Sequence, residues 1–139
     1  MNKIVLSEEG QKAKEWFSNW MNGENIHKKH YQLVEEINSY NPTSIFEFGC
    51  GNGKILDLYD NIYGGSKLHG CDMSVPAIEL GKERGRDYIT IGDENYLLNL
   101  KDNQYDVVYT CSVLDHIPMP ECDIIIQHLL RIGKNVIFS

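Results

Sequence analysis

Ser44-Ile45-Phe46-Glu47-Phe48-Gly49-Cys50-Gly51-Asn52-Gly53 carries the fold of this chain. A short apolar run leads into a loop with glycine at every second position, and Ile55, Leu56 and Leu58 beyond it suit the buried side of a helix. The stretch therefore predicts a strand, a ligand loop and a helix in succession. Glycine at this spacing lets the backbone turn through positive φ and lets a ligand approach the main chain without meeting a Cβ.

Outward from this stretch, strand and helix patterns alternate. Lys67 to Cys71 reads as a strand closed by Asp72, and Ser74 as the cap of a helix through Ile78, Leu80 and Lys82 that ends near Gly85. Tyr88 to Ile91 is a third strand, ended by Gly92-Asp93, and Tyr105 to Thr110 a fourth. A helix from Pro120 to Arg131 is stopped by Gly133, and Asn135 to Ser139 is a fifth strand. Such alternation predicts an α/β fold: a Rossmann-like doubly wound, mainly parallel sheet of about five strands with helices on both faces.

Residues 1–43 are expected to form a helical cap on a core of residues 44–139. Ser7 caps a first helix with Glu8 and Glu9 in its opening turn, and Ala13, Trp16, Phe17, Trp20 and Met21 make one apolar face. That face is expected to pack on the sheet, the other reading being a lid over a ligand. A second helix carries Ile26, His30, Leu33, Val34 and Ile37 and stops at Asn41-Pro42. His27 and His30 share a face of it, but no carboxylate or cysteine stands at matching spacing and no metal site is expected.

The chain of 139 residues is of one-domain size, and 42% hydrophobic with 24% charged residues is the composition of a soluble globular protein. A net charge of −7 speaks against binding to phosphate backbones, so no nucleic acid partner is expected. Met1 to Leu6 hold one lysine and no long apolar core, and no apolar run approaches about 18 residues. Neither a leader nor a membrane partner is expected, and the cytoplasm is the expected location. Cys50, Cys71, Cys111 and Cys122 stand far apart without a C-x-x-C pair, which is neither a zinc pattern nor a dense disulfide framework and leaves reduced thiols. The first three would crowd one rim of a doubly wound sheet, either as small apolar fillers or as an oxidation-sensitive cluster.

Acids mark the carboxyl ends of the first three strands: Glu47 with the glycines that follow it, then Asp72, then Asp93. Open sheets bind ligands at these ends, near where strand order reverses. Asp72, about 20 positions beyond Gly49, is placed to accept from both hydroxyls of a ribose, which indicates a nucleoside ligand. A dinucleotide fingerprint needs glycine or alanine at position 54, where this chain has Lys54. Glu47 would repel a pyrophosphate and suit a cation. Both residues disfavour a nicotinamide-dependent oxidoreductase.

Glu47 to Gly53 resembles the first motif of the class I S-adenosylmethionine-dependent methyltransferases. Gly70-Cys71-Asp72-Met73-Ser74 is similar to the second motif and Gly92-Asp93 to the third. Tyr105 to Val108 with Ser112 to Ile117 is similar to the fourth strand and the loop after it, so the resemblance covers about Ser44 to Ser139 in the family's order. It implies S-adenosylmethionine as cofactor. Glu47, Gly49, Cys50, Gly51 and Gly53 would hold its methionine end, Asp72 with Met73 its ribose, and Asp93 with Glu94 its adenine, with Ser112 in the loop beyond the fourth strand. The resemblance also implies methyl transfer by in-line displacement, to which the protein contributes mainly alignment. His116, with Asp115 beside it, is the candidate general base for a protonated acceptor, and the same histidine equally suits a role in shaping its loop.

No Asn/Asp-Pro-Pro-Tyr/Phe signature follows the fourth strand. Ser112-Val113-Leu114-Asp115 stands there instead, which together with the acidic charge resembles the branch acting on small molecules. Acids at strand ends also cap turns without any ligand, and a cofactor-binding module without catalysis is the alternative to an enzyme. The family's sheet usually has seven strands. Here the chain ends with the fifth, so truncation or completion by a partner is expected, with Val136, Ile137 and Phe138 on an exposed edge that favours a homo-oligomer.

Overall fold

The computed structural model describes residues 3–139, so Met1 and Asn2, the first residues read for a leader, lie outside it. Five strands, β1 (Ser44–Phe48), β2 (Lys67–Asp72), β3 (Ile89–Ile91), β4 (Tyr105–Thr110) and β5 (Gly133–Phe138), pair in parallel in the order β3-β2-β1-β4-β5. The helices are α1 (Glu8–Phe17), α2 (Lys28–Asn38), α3 (Lys54–Ile62), α4 (Val75–Glu83) and α5 (Glu121–Ile132), with short 3-10 helices at Glu94–Asn99 and Leu114–His116. The chain steps outward from β1 to β3 and then returns to lay β4 against the other side of β1. Strand order thus reverses between β1 and β4, directly below the glycine loop, as expected of a Rossmann-like doubly wound sheet.

The two-residue period of the strands sorts side chains between two cores. Ile45, Val107 and Tyr109 join Leu33, Val34 and Ile37 of α2 and Leu56 of α3 on one face. Phe46, Phe48 and Val108 meet Ile125, Leu129 and Ile132 of α5 on the other. Each of these side chains is buried, and removing such a group from water stabilises the fold by about 1.5–3 kcal/mol. The helix α5 turns straight into β5 at Gly133, earlier than the sequence suggests, and only glycine fits so close to β4, since a Cβ there would lie 2.8 Å from Val108 Cβ.

The expected packing of the Trp16, Phe17 and Trp20 face on the sheet is not what the fold contains. Ser7 caps α1 as expected, its side chain accepting from Gly10 N, but the helix stops at Phe17 and Gly10 is its only buried residue. Trp16 is 64% exposed and Trp20 43%. The reason is competition for one surface: α2 already covers that sheet face with Leu33, Val34 and Ile37, so α1 lies across the carboxyl ends of the strands instead. There its aromatic residues line a cavity. Among the described residues, no helix is long and apolar enough to cross a membrane, and nothing pairs with the outer edge of β5.

Candidate functional site

The loop after β1 turns through three glycines in the left-handed region, Gly49 at φ 74°, Gly51 at 54° and Gly53 at 83°. At Gly49 a Cβ would sit 2.5 Å from Val113 Cγ2, and at Gly51 2.5 Å from Asn22 Oδ1. The loop is therefore pressed between the segment after β4 and the N-terminal cap. Its backbone donors are all used inside the protein. The N–H groups of Gly49 and Cys50 donate to the Cys71 carbonyl, and that of Gly53 to the Cys50 carbonyl. Gly51 N–H donates to Asp72 Oδ2 at 2.8 Å, Asn52 N–H to Asn22 Oδ1 at 2.8 Å, and Lys54 N–H to Asn52 Oδ1 at 3.2 Å. A phosphate cradle needs such donors free and aimed at the ligand. None is left here.

Two cavities flank this loop. The first, of about 290 Å³, lies between α1 and the strand ends; Asp72, Met73, Asp93 and Glu94 line one side, and Trp16 and Phe17 cover it. The second, of about 200 Å³, lies on the other side of Gly49, where Glu47, Cys50 and Gly51 meet His27, Lys29 and Lys54. Gly49 and Ser112 border both. Ser112 takes φ 57°, unusual for a residue with a side chain, and its hydroxyl accepts from Lys29 Nζ at 2.9 Å. Gly53 borders neither cavity; it starts α3 and packs against Ile89 and Arg86.

Glu47 is buried on β1 and accepts from the hydroxyl of Tyr109, its partner in register on β4, at 2.7 Å. Burial pushes its pKa up to about 8; Asp72 adds to the rise, while the Tyr109 bond and Lys54 oppose it. Burial raises the Asp72 carboxyl as well, against the stabilising N–H bonds from Ser74 and Gly51. Asp93 and Glu94 share Lys14 of α1, at 2.6 and 3.0 Å. Burial works against both charges of the Lys14–Asp93 pair, yet the bonds between them prevail: the ammonium is held above and the carboxyl below its ordinary range. Asp93 also accepts from Asn95 N–H, so it caps a turn and faces the cavity at once.

His116 lines the first cavity with its ring 5.0 Å from that of Phe17. Asp115 Oδ2 lies 3.7 Å from His116 Nε2, but its side chain is 70% exposed and borders neither cavity. His30 is buried, accepts from His27 N–H at 3.0 Å through Nδ1, and is lowered to about 4 by burial and by Lys54, Lys29 and His27. It acts as a neutral cap acceptor. Among the described residues no group of three or more His, Cys, Asp or Glu is arranged to hold a metal. Burial pushes the Cys50 and Cys71 thiols up, which suits small apolar fillers, while Cys111 is half-buried where the cavities meet.

Sequence reasoning missed the cap's polar side. Lys14, Asn22, Glu24 and Lys29 reach Asp93, Asn52, Arg86 and Ser112 respectively. Single polar residues in a segment without a motif carry no signal of a distant partner. The bond from Tyr109 to Glu47 was more accessible, because both alternate onto one face of neighbouring strands.

The methyltransferase domain family has a model that matches residues 46–134. Among solved structures, the magnesium protoporphyrin IX methyltransferase of Synechocystis PCC 6803, with bound S-adenosylmethionine, is similar at a TM-score of 0.67 and 17% identity, over 99% of this chain and 77% of that one. The methyltransferase domain of bacterial CtHen1 is similar at 0.64 and 21% identity over 80% of this chain and 63% of that domain. The plantazolicin methyltransferase BpumL, in complex with S-adenosylhomocysteine, gives 0.63 and 20% over 79% of this chain and 46% of that one. This chain thus spans under two thirds of the second and under half of the third, and at such identities the likeness is one of fold. No curated protein matches the sequence. Because the family match runs from within β1 into the start of β5, it takes in the glycine loop, the strand-end acids and the sheet that sets them together: the chain belongs to the methyltransferase domain family.

Proposed function

We propose that the chain binds S-adenosylmethionine, with its adenosine in the first cavity and its amino-acid end in the second, and passes the methyl group to a small-molecule acceptor. Residues 44–139 are the binding core; α1 and the segment after it form the cap over the site, while α2 packs into the core against the sheet. The observation that carries this reading is the glycine loop, which leaves no free N–H donor for a phosphate and sets Glu47 and Asp72 beside the cavities. That arrangement suits a cationic nucleoside and opposes a pyrophosphate. The similar structures with S-adenosylmethionine or S-adenosylhomocysteine bound support it further.

S-adenosylmethionine, when bound, supplies a methyl group on a positively charged sulfur, already activated for displacement. Asp72 accepts from the ribose with the lone pairs that its two backbone bonds leave over, and Met73 lies beside it. Asp93 and Glu94, bridged by Lys14, meet the adenine. Glu47, Gly49, Cys50 and Gly51 would line the space for the amino-acid end, Gly53 shapes their loop, and Ser112 stands in the wall between the cavities. The residues of α1 exclude water from the reacting groups. Where the acceptor carries a proton, His116, which lines the first cavity, would take it, with Asp115 beside its Nε2 on the solvent side. We place the protein in the cytoplasm, without a nucleic acid partner, and infer a homo-oligomer formed through the β5 edge.

Calorimetry is expected to give binding of S-adenosylmethionine and S-adenosylhomocysteine and none of NAD; binding of NAD alone overturns the reading. A tritiated-methyl transfer screen over metabolites then separates an enzyme from a binding module without catalysis. Replacing Asp72 by Ala is expected to weaken S-adenosylhomocysteine by roughly 10- to 100-fold, since two hydrogen bonds to a charged group are lost. Equal affinity removes Asp72 from the site.

A further inference from the structure

Trp20, Gly49, Cys111 and Ser112 border both cavities. Gly49 contributes no side chain, and Cys111 and Ser112 come from the end of β4. Trp20 comes from the cap and is the one aromatic residue common to the two. It is held from several sides: its carbonyl accepts from Ser74 Oγ at 2.5 Å, its N–H donates to the Phe17 carbonyl at 3.1 Å, and its ring meets that of Phe17 edge-on with centroids 6.5 Å apart. A tryptophan whose backbone is so fixed, and which is still 43% exposed, is not serving the core.

A ligand with a nucleoside at one end and an amino acid at the other fills both cavities only by passing these four residues. In S-adenosylmethionine the group between the ends is the sulfonium. We propose that Trp20 presents its indole to this cation and is a specificity-determining residue that makes the site favour the charged sulfonium over the neutral thioether left after methyl transfer. The inference rests on the cofactor reading above. The electron-rich face of an indole attracts a cation through its quadrupole, and a neutral sulfur gains nothing comparable. The consequence is easy release of S-adenosylhomocysteine.

The test is the ratio of the two dissociation constants, measured by calorimetry on the wild-type chain, Trp20→Phe and Trp20→Leu. The preference for S-adenosylmethionine over S-adenosylhomocysteine is expected to fall roughly 2- to 30-fold in Trp20→Leu, with most of it kept in Trp20→Phe. An unchanged ratio in Trp20→Leu overturns the inference. Should that variant bind neither ligand, Trp20→Met, closer in volume, takes its place; loss of both ligands alike in both variants makes Trp20 a mere wall and also overturns it. A wild-type chain that binds neither ligand rejects the cofactor reading itself, whereas wild-type binding with an unshifted ratio rejects only the role of Trp20.

Discussion

Glu47 is a carboxyl kept out of water beside a site that suits a cation. Its folded pKa of about 8 stands above the ordinary value of 4.5, so between these values the folded chain keeps a proton that the unfolded chain has released. Stability is therefore lost as pH rises through this window, by at most about 1.4 kcal/mol per pH unit from this group. Below about pH 6.5 the depressed pKa of His30, about 4 against an ordinary 6.5, has the opposite sign and offsets the effect; urea unfolding is therefore expected to show the decline between pH 6.5 and 8, and Glu47→Gln to flatten it. A cation bound nearby favours the carboxylate, so binding of S-adenosylmethionine in the same window should release a proton, read as a binding heat that varies with the buffer's ionisation enthalpy. Gly49 gives a second prediction at this scale. A side chain there is strained by about 1–2 kcal/mol in the left-handed region and would also overlap Val113. Gly49→Ala should lower the unfolding midpoint and weaken S-adenosylmethionine about tenfold or more; wild-type values for both would show that the loop yields more easily than its packing suggests.

Among the elements, α1 and the segment after it depart most from the sequence expectation. The strands and α2 were legible because their apolar periods match a surface that only the sheet or its helices provide. The stripe Ala13, Trp16, Phe17 of α1 has the same period whether it meets a sheet or a cavity, so its burial could not be read from spacing. The acids at the strand ends were legible by position, but the cap residues that engage them were not. Lys14 joins α1 to Asp93 and Glu94 with all three side chains near the cavity. Because Lys14 and Asp93 remain about one-third exposed, the pair adds no more than about 1 kcal/mol to stability. Lys14→Met also leaves the buried Glu94 without its cation and is expected to lower the unfolding midpoint while speeding dissociation of S-adenosylhomocysteine in stopped flow; an unchanged dissociation rate would mean that α1 does not have to move for the ligand to leave.

At the largest scale, the sheet of the described residues has unequal edges. β3 is short, whereas β5 presents six residues, and Phe138 is 44% exposed. Unpaired N–H and C=O groups beside apolar side chains are a template for another strand. Sedimentation of this chain is expected to show association that grows with concentration, and Phe138→Lys to reduce it; a monomer at high concentration would leave the β5 edge protected by its own twist. The sheet order itself was implicit in the alternation of elements, since right-handed crossovers leave few topologies. What no pattern in the sequence announced is that the backbone donors of the loop after β1 are all satisfied within the protein. A loop complete before its ligand arrives has nothing to order on binding, so its amides should exchange slowly with deuterated water in the free protein and barely change when S-adenosylmethionine is added. The entropic cost of recognition then falls on the cap, and the observed association rate should level off at high ligand concentration, at the rate with which α1 swings clear.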